Sequence, residues 1–183
     1  MRSAEVICSY IMKGFDMTKN CPIILCGFTS SGKTTIGKLL SERLGLPFYD
    51  TDQMLIEHYQ MTIPEIFAKG GETLFRDYEH EIARRVCTLG PSVVSTGGGM
   101  LTFDRNGEIL AKNGMIFYID RTFEDCYANL AQHPERPLFK NHTMDEVQEM
   151  YLTRRGLYRK YAQYDIPNIG IPQDAVEKIC RLL

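Results

Sequence analysis

The chain lacks a surplus of charge of either sign: 21 Lys and Arg stand against 23 Asp and Glu, a formal net charge of -2. The basic residues are scattered among acids rather than gathered into a stripe, so a nucleic-acid or membrane-surface partner is not indicated and a small soluble substrate fits better. Long apolar runs are missing too. Residues 6–12 form an apolar stretch, but Glu5 precedes it, Lys13 and Asp16 follow, and it is far too short to span a bilayer. No signal peptide is read there. None of the six cysteines, Cys8, Cys21, Cys26, Cys87, Cys126 and Cys180, belongs to a C-x-x-C pair. They lie in or beside apolar segments, as free structural thiols do in a reducing cytosol, which predicts a cytoplasmic protein. Internal repeats and low-complexity tracts are absent. What remains is 183 residues, 44% hydrophobic, the size of one domain with a substantial core.

Residues 27–34 read GFTSSGKT, the G-x-x-x-x-G-K-[ST] pattern, directly after the apolar run at 22–26 and directly before a helical one. Gly27 and Gly32 let the chain curl so that successive backbone N–H groups face the phosphates of a nucleotide, with a helix N-terminus behind them. Lys33 then reaches the β and γ phosphates, and Thr34 offers a hydroxyl oxygen to Mg2+. The bland alternative is a glycine-rich turn capping a helix. Strand, loop, Lys-Thr and helix together argue against it.

Beyond the loop, short apolar runs alternate with longer amphipathic ones, the pattern of βαβ units around a parallel sheet covered on both faces. Strands are predicted at about 22–26, 47–50, 92–96, 115–119 and 165–169. Ile36, Leu39, Leu40 and Leu44 follow helical spacing. Thr62 with Glu65, and Thr143 with Glu146, have capping-box form, and Thr122 with Asp125 marks another helix start. The first strand needs to begin only near Cys21, so residues 1–20 are expected to be an extension without ordered structure, with Met17 an alternative start. The polar, proline-containing segment around 132–142 is a surface excursion and a candidate lid.

Three constellations carry further chemistry. Asp50 and Asp52 follow the second strand and emerge at the carboxyl end of the sheet, where open α/β folds bind ligands. One acid can hold a metal-bound water while the other orients or deprotonates a substrate hydroxyl; the plainer alternative is an Asp helix cap. Gly97, Gly98 and Gly99 strip side chains from the end of the third strand, so a ligand can approach backbone N–H groups; a flexible turn is the competing account. Arg76 and Glu79 lie three apart on a helical face, which a simple surface ion pair would also explain.

In order and spacing these pieces resemble the shikimate kinases, small P-loop kinases of the nucleoside monophosphate kinase structural group. The resemblance runs from about Cys21 to the C-terminus. It comprises residues 27–34, Asp50 and Asp52, Gly71 and Glu72 with Phe75, Arg76 and Glu79, the glycine triplet, Arg136-Pro137-Leu138, and residues 154–158. It implies a single domain over 21–183 with a three-layer α/β/α fold, a short five-stranded parallel sheet, a substrate-binding helical region at about 51–80 and a lid at about 130–143. The implied reaction is phosphorylation of the shikimate 3-hydroxyl by ATP with Mg2+, by a monomer. The resemblance places ATP on Gly27, Ser30, Ser31, Gly32, Lys33, Thr34, Thr35 and Arg136, and Mg2+ on Thr34 and, through water, Asp50. It gives shikimate's hydroxyls to Asp52 and its carboxylate to Arg76 and Arg154, with backbone contacts from Gly98 and Gly99 and with Glu79 orienting Arg76. Lys33, Asp52 and Arg136 are the implied catalytic residues.

Departures from the family pattern are informative. Arg155-Gly156 replaces the frequent Asn-Pro after the late-helix arginine, leaving Arg154 or Arg155 to face the site, with register favouring Arg154. The arginine that commonly stacks on adenine has no counterpart in residues 127–132; Ile171 and Pro172 are placed to flank the base instead. A gluconate kinase, whose acceptor is also a hydroxy acid, is the rival within the fold. A nucleotide acceptor fits poorly, because Asp50 and Asp52 would repel its phosphate. A nucleotide-binding sensor without turnover would leave the acids, glycines and arginines without a purpose.

Overall fold

The computed structural model describes residues 20–132 and 142–183. Five strands, β1 (Ile23–Cys26), β2 (Phe48–Asp50), β3 (Val93–Ser95), β4 (Met115–Asp120) and β5 (Tyr164–Pro167), form one parallel sheet in the order β2-β3-β1-β4-β5. The helices are α1 (Lys33–Leu44), α2 (Thr51–Tyr59), α3 (Ile63–Val86), α4 (Asp104–Asn113), α5 (Phe123–Ala131), α6 (Met144–Tyr161) and α7 (Pro172–Leu182), with a 3-10 turn at Met100–Thr102.

The strands are almost continuously apolar because both sheet faces are covered. Ile24 and Cys26 of β1, with Ile116 and Tyr118 of β4, face Ile82 and Val86 of α3, Leu110 of α4, Leu130 of α5 and Val147 of α6. Their neighbours Ile23, Leu25, Phe117 and Ile119 face Ile36 and Leu40 of α1 and Val176 and Ile179 of α7. Two cores on opposite faces of one sheet are the three-layer α/β/α arrangement of the P-loop kinases expected from the sequence.

Local signals settle most boundaries. Thr62 and Glu65 form a reciprocal capping box at the start of α3, Thr143 and Glu146 another at the start of α6, and Thr122 accepts from the Asp125 N–H at the start of α5. The fifth strand begins and ends earlier than its predicted span, at Tyr164–Pro167. It lies at the sheet edge, where a proline without an N–H is tolerated, and beyond it the chain turns toward α7. Of the expected extension only Asn20 is described, and residues 133–141 of the expected lid lie outside the described residues.

Gly71 interrupts α3 with φ 65° and ψ -159°, so the helix kinks and its second half carries Glu72, Phe75, Arg76 and Glu79 in a new direction. A Cβ on Gly71 would meet nothing within 4 Å, so the constraint is backbone conformation alone. That combination of angles is nearly exclusive to glycine. Gly71→Ala is therefore expected to cost about 1–3 kcal/mol of stability. Denaturant unfolding checks this, and an unchanged midpoint would show that the kink is not fixed by the glycine.

Candidate active site

The loop between β1 and α1 has the conformation that its glycines permit. Gly27 has φ 149°, Ser30 φ 65° and Gly32 φ 97°, and Gly32 caps α1. A Cβ on Gly27 would stand 2.7 Å from the Ile119 carbonyl of β4, and one on Gly32 would stand 2.7 Å from the Asn168 carboxamide. Both positions thus need glycine for close approach as well as for φ. Ser31 is buried, and its carbonyl accepts from Asn168 Nδ2 at 2.8 Å, which ties the loop to the end of β5.

Lys33 turns into this loop. Its Nζ donates to the Gly27 carbonyl at 2.9 Å and the Phe28 carbonyl at 2.7 Å, with Ser31 Oγ at 3.5 Å. Burial lowers the proton affinity of the ammonium, and the carboxylates of Asp52 and Asp50 act against that shift. Thr34 and Thr35 follow at the helix start, and with Ser30 and Gly32 they line a cavity of about 300 Å³.

Thr34 Oγ1 donates to Asp50 Oδ2 at 3.2 Å and lies 3.4 Å from Ser95 Oγ at the end of β3. The other Asp50 oxygen caps α2 by accepting from the Asp52 N–H at 3.1 Å. Asp50 is thus both the helix cap and a neighbour of the phosphate loop, so the two alternatives raised by the sequence coexist. Hydroxyl and carboxylate oxygens from three elements meet here, a hard donor set of the kind Mg2+ accepts alongside water and phosphate.

The glycine triplet stands opposite. Gly97 donates its N–H to Thr51 Oγ1 at 2.9 Å, and the Gly98 carbonyl accepts from the Tyr158 hydroxyl at 2.5 Å. A Cβ on Gly97 would lie 2.5 Å from Asp52 Oδ1, and one on Gly99 would lie 2.5 Å from Arg76 Nη1. None of the three has a left-handed φ, so here the glycines serve close approach: they let Asp52 and Arg76 sit against the backbone.

Arg76 is held from two sides. Nη1 donates to Glu79 Oε2 at 2.8 Å, while Nε and Nη2 donate to Glu72 Oε1 at 3.2 and 3.0 Å. Its guanidinium also stacks near Phe75 and Phe103. Glu79 is buried, which raises its carboxyl, and Arg76 and more weakly Arg154 oppose that rise. Arg154 extends from α6 over the Phe28 ring at 5.9 Å. Arg155 instead donates to Asp120 Oδ2 at 2.8 Å, and of the two it is Arg154 whose charge acts on Glu79. Lys33, Asp50, Asp52, Arg76, Glu79 and Arg154 therefore form one electrostatically connected group. Arg136 lies outside the described residues.

Several contributors were not anticipated. Ser95 closes an apolar strand with a buried hydroxyl, a signal the sequence does carry. Asn168, Arg121, Asn129 and Gln132 have no motif around them; the last three share the cavity beside the phosphate loop, whose described lining does not include Ile171 or Pro172. Burial raises the thiols of Cys26 and Cys126, consistent with inert structural cysteines.

A central strand running into a lysine-bearing phosphate loop, faced by two carboxylates and two arginines, defines a P-loop small-molecule kinase. Residues 29–183 match the sequence profile of shikimate kinase. The chain belongs to the shikimate kinase family. It is 36% identical over 161 residues to a shikimate kinase of Thermodesulfovibrio yellowstonii, covering 87% of this chain and 92% of that one. It is 38% identical over 158 residues to one from Caldicellulosiruptor bescii, with 86% and 92% covered. A solved shikimate kinase from Acinetobacter baumannii, in complex with shikimate, superposes with a TM-score of 0.83 at 33% identity, covering 88% of this chain and 92% of that one. A gluconokinase from Sinorhizobium meliloti shares the fold, with a TM-score of 0.54 at 14% identity and 89% and 93% coverage.

Asp52 has a raised proton affinity, first from burial and then from Asp50, with Lys33 and Arg76 pulling it back. In a carbon NMR titration of the metal-free protein, the Asp52 carboxyl is expected to titrate above the ordinary aspartate value. Asp50→Asn removes the like charge and should move that midpoint to lower pH. A midpoint that stays in place would show that Asp50 does not act on Asp52.

Proposed function

We propose that the protein transfers the γ-phosphoryl group of ATP to the shikimate 3-hydroxyl, releasing ADP and shikimate 3-phosphate, with each site group in a stated role. The observation that carries the reading is the approach of Asp52 and Arg76 to the glycine triplet beside the phosphate loop. A polyhydroxylated acid needs a carboxylate for its hydroxyls and guanidinium for its carboxylate, and this pocket offers both within one charge group.

ATP binds with its phosphates in the curl of residues 27–34, on backbone N–H groups and the α1 N-terminus, with Ser30, Ser31, Gly32, Thr34 and Thr35 around it. Lys33 exchanges the Gly27 and Phe28 carbonyls for phosphate oxygens, its charge being already held at the loop. Thr34 and, through water, Asp50 would hold Mg2+, which would supply charge compensation on the phosphates. Arg136 is assigned to the same developing charge by the family resemblance.

Arg76 and Arg154 clamp the shikimate carboxylate, Glu79 orients Arg76, and Gly98 and Gly99 offer backbone N–H groups. Asp52 orients the 3-hydroxyl and receives its proton as the oxygen bonds to the γ-phosphorus. The bond from that phosphorus to the β–γ bridging oxygen breaks, and its electrons leave with ADP. A loose transition state asks mainly for positioning and charge compensation, which this arrangement supplies.

ADP release measured with shikimate, gluconate, AMP or no acceptor tests the reading; turnover is expected with shikimate alone. Turnover with gluconate instead would discard the arginine assignments. Arg76→Ala is expected to raise the KM for shikimate about tenfold or more and leave that for ATP unchanged, since charge-assisted hydrogen bonds are worth ~1.5–3 kcal/mol. Arg76→Lys preserves a charge beside Glu79, so a similar loss in that variant isolates the planar fork. A rise confined to the KM for ATP would overturn the clamp.

A further inference from the structure

The cavity beside the phosphate loop has a second wall that the family motifs do not assign. Besides Ser30, Gly32, Lys33, Thr34 and Thr35 it is lined by Arg121, Asn129 and Gln132. Its described lining contains no aromatic or aliphatic side chain, so among the described residues a base lying there has no hydrocarbon or aromatic surface to stack on. Lys33, the other cation in the lining, is turned into the loop carbonyls. The planar cation is Arg121.

Arg121 is built into place. It directly follows β4, whose Ile119 carbonyl lies against Gly27, and it directly precedes Thr122, the cap of α5. Its carbonyl accepts from the Tyr151 hydroxyl at 2.8 Å, which fixes the backbone. Its guanidinium is loosely held: Nε is shielded from solvent and makes no hydrogen bond among the described residues, and its ion pair with Asp125 Oδ2, at 3.8 Å, is too long for one. Arg155 also has a shielded Nε, but its Nη2 is bonded to Asp120 at 2.8 Å. Asp125 and Asn129 follow on one face of α5 at i and i+4.

We propose that Arg121 is a nucleotide-contact residue, its guanidinium plane stacking on the purine of ATP while the Asn129 and Gln132 carboxamides meet the base edge. Guanidinium stacks well on π faces, and carboxamides carry the paired donor and acceptor that an adenine edge requires. The inference rests on the proposed kinase reaction and adds the residues that hold the base.

The test is titration calorimetry on the full chain with two probes: ADP, and inorganic tripolyphosphate, which has phosphates but no base. Arg121→Ala is expected to weaken ADP about tenfold, as loss of a stacking partner does, and to leave tripolyphosphate binding and the KM for shikimate unchanged. Arg121→Lys keeps the charge without the plane and is expected to lose ADP affinity as well; it carries the test if the alanine variant does not fold. Unchanged ADP binding in either folded variant would overturn the proposal. Equal losses for ADP and tripolyphosphate would also overturn it, by showing an electrostatic contact to phosphate rather than to the base. Absence of shikimate-dependent turnover in the unmodified protein would remove the kinase reading, while the two-probe comparison would still report on Arg121.

Discussion

Parallel pairing of β1 with β3 on one side and β4 on the other decides where everything else must go. All four residues of β1 are buried, so neither its register nor its direction can shift without exposing a core. The phosphate loop therefore leaves the sheet at its middle, with the carboxyl ends of two strands as immediate neighbours. Thr96, just past β3, donates both its N–H and its hydroxyl to the Leu25 carbonyl, and the Ile119 carbonyl of β4 closes on Gly27. The loop's curl is confined by the sheet as well as by its own glycines.

That placement brings like and unlike charges into a partly desolvated space. Burial opposes ionisation at Lys33, Asp52 and Glu79 alike, and each is offset by a partner of opposite sign: Asp52 beside Lys33, Arg76 beside Glu79 and Asp52. Removing one member would strand another, which is why the group acts as a unit. The same balance shapes recognition. In the proposed reaction, the carboxylates beside the phosphate loop favour a neutral hydroxyl over an acceptor phosphate, while the two arginines suit the acceptor's acid group.

What the sequence carried, and what it did not, follows from how local each signal is. The GFTSSGKT loop, the two capping boxes and the apolar strands each depend on residues within a few positions of one another, and apart from the shifted fifth strand they took their expected form. Asp50 was legible because it closes a strand and opens a helix. Ser95 and Asp120 close strands in the same way, and that shared position was the available clue to both. Asn168 and Arg121 gave no such clue. Asn168 reaches Ser31, 137 positions away in the chain, and such a contact follows from strand order, which the local pattern does not encode. The kink at Gly71 was likewise invisible as geometry, although its glycine belonged to a motif.

The choice between Arg154 and Arg155 shows the same dependence on distant partners. Adjacent residues on a helix point about a quarter-turn apart, so the two arginines take different partners. Asp120 at the end of β4 holds Arg155 and Arg159 together, at 2.8 and 3.0 Å. Tyr118 donates its hydroxyl to the other Asp120 oxygen at 2.9 Å, which fixes the carboxylate. With that edge of α6 anchored, Arg154 lies over Phe28, and Tyr158, one turn later, delivers its hydroxyl to the Gly98 carbonyl. A single carboxylate at a strand end thus sets the rotation of a helix. That rotation sets Arg154 over Phe28 and lets Tyr158 steady the glycine backbone.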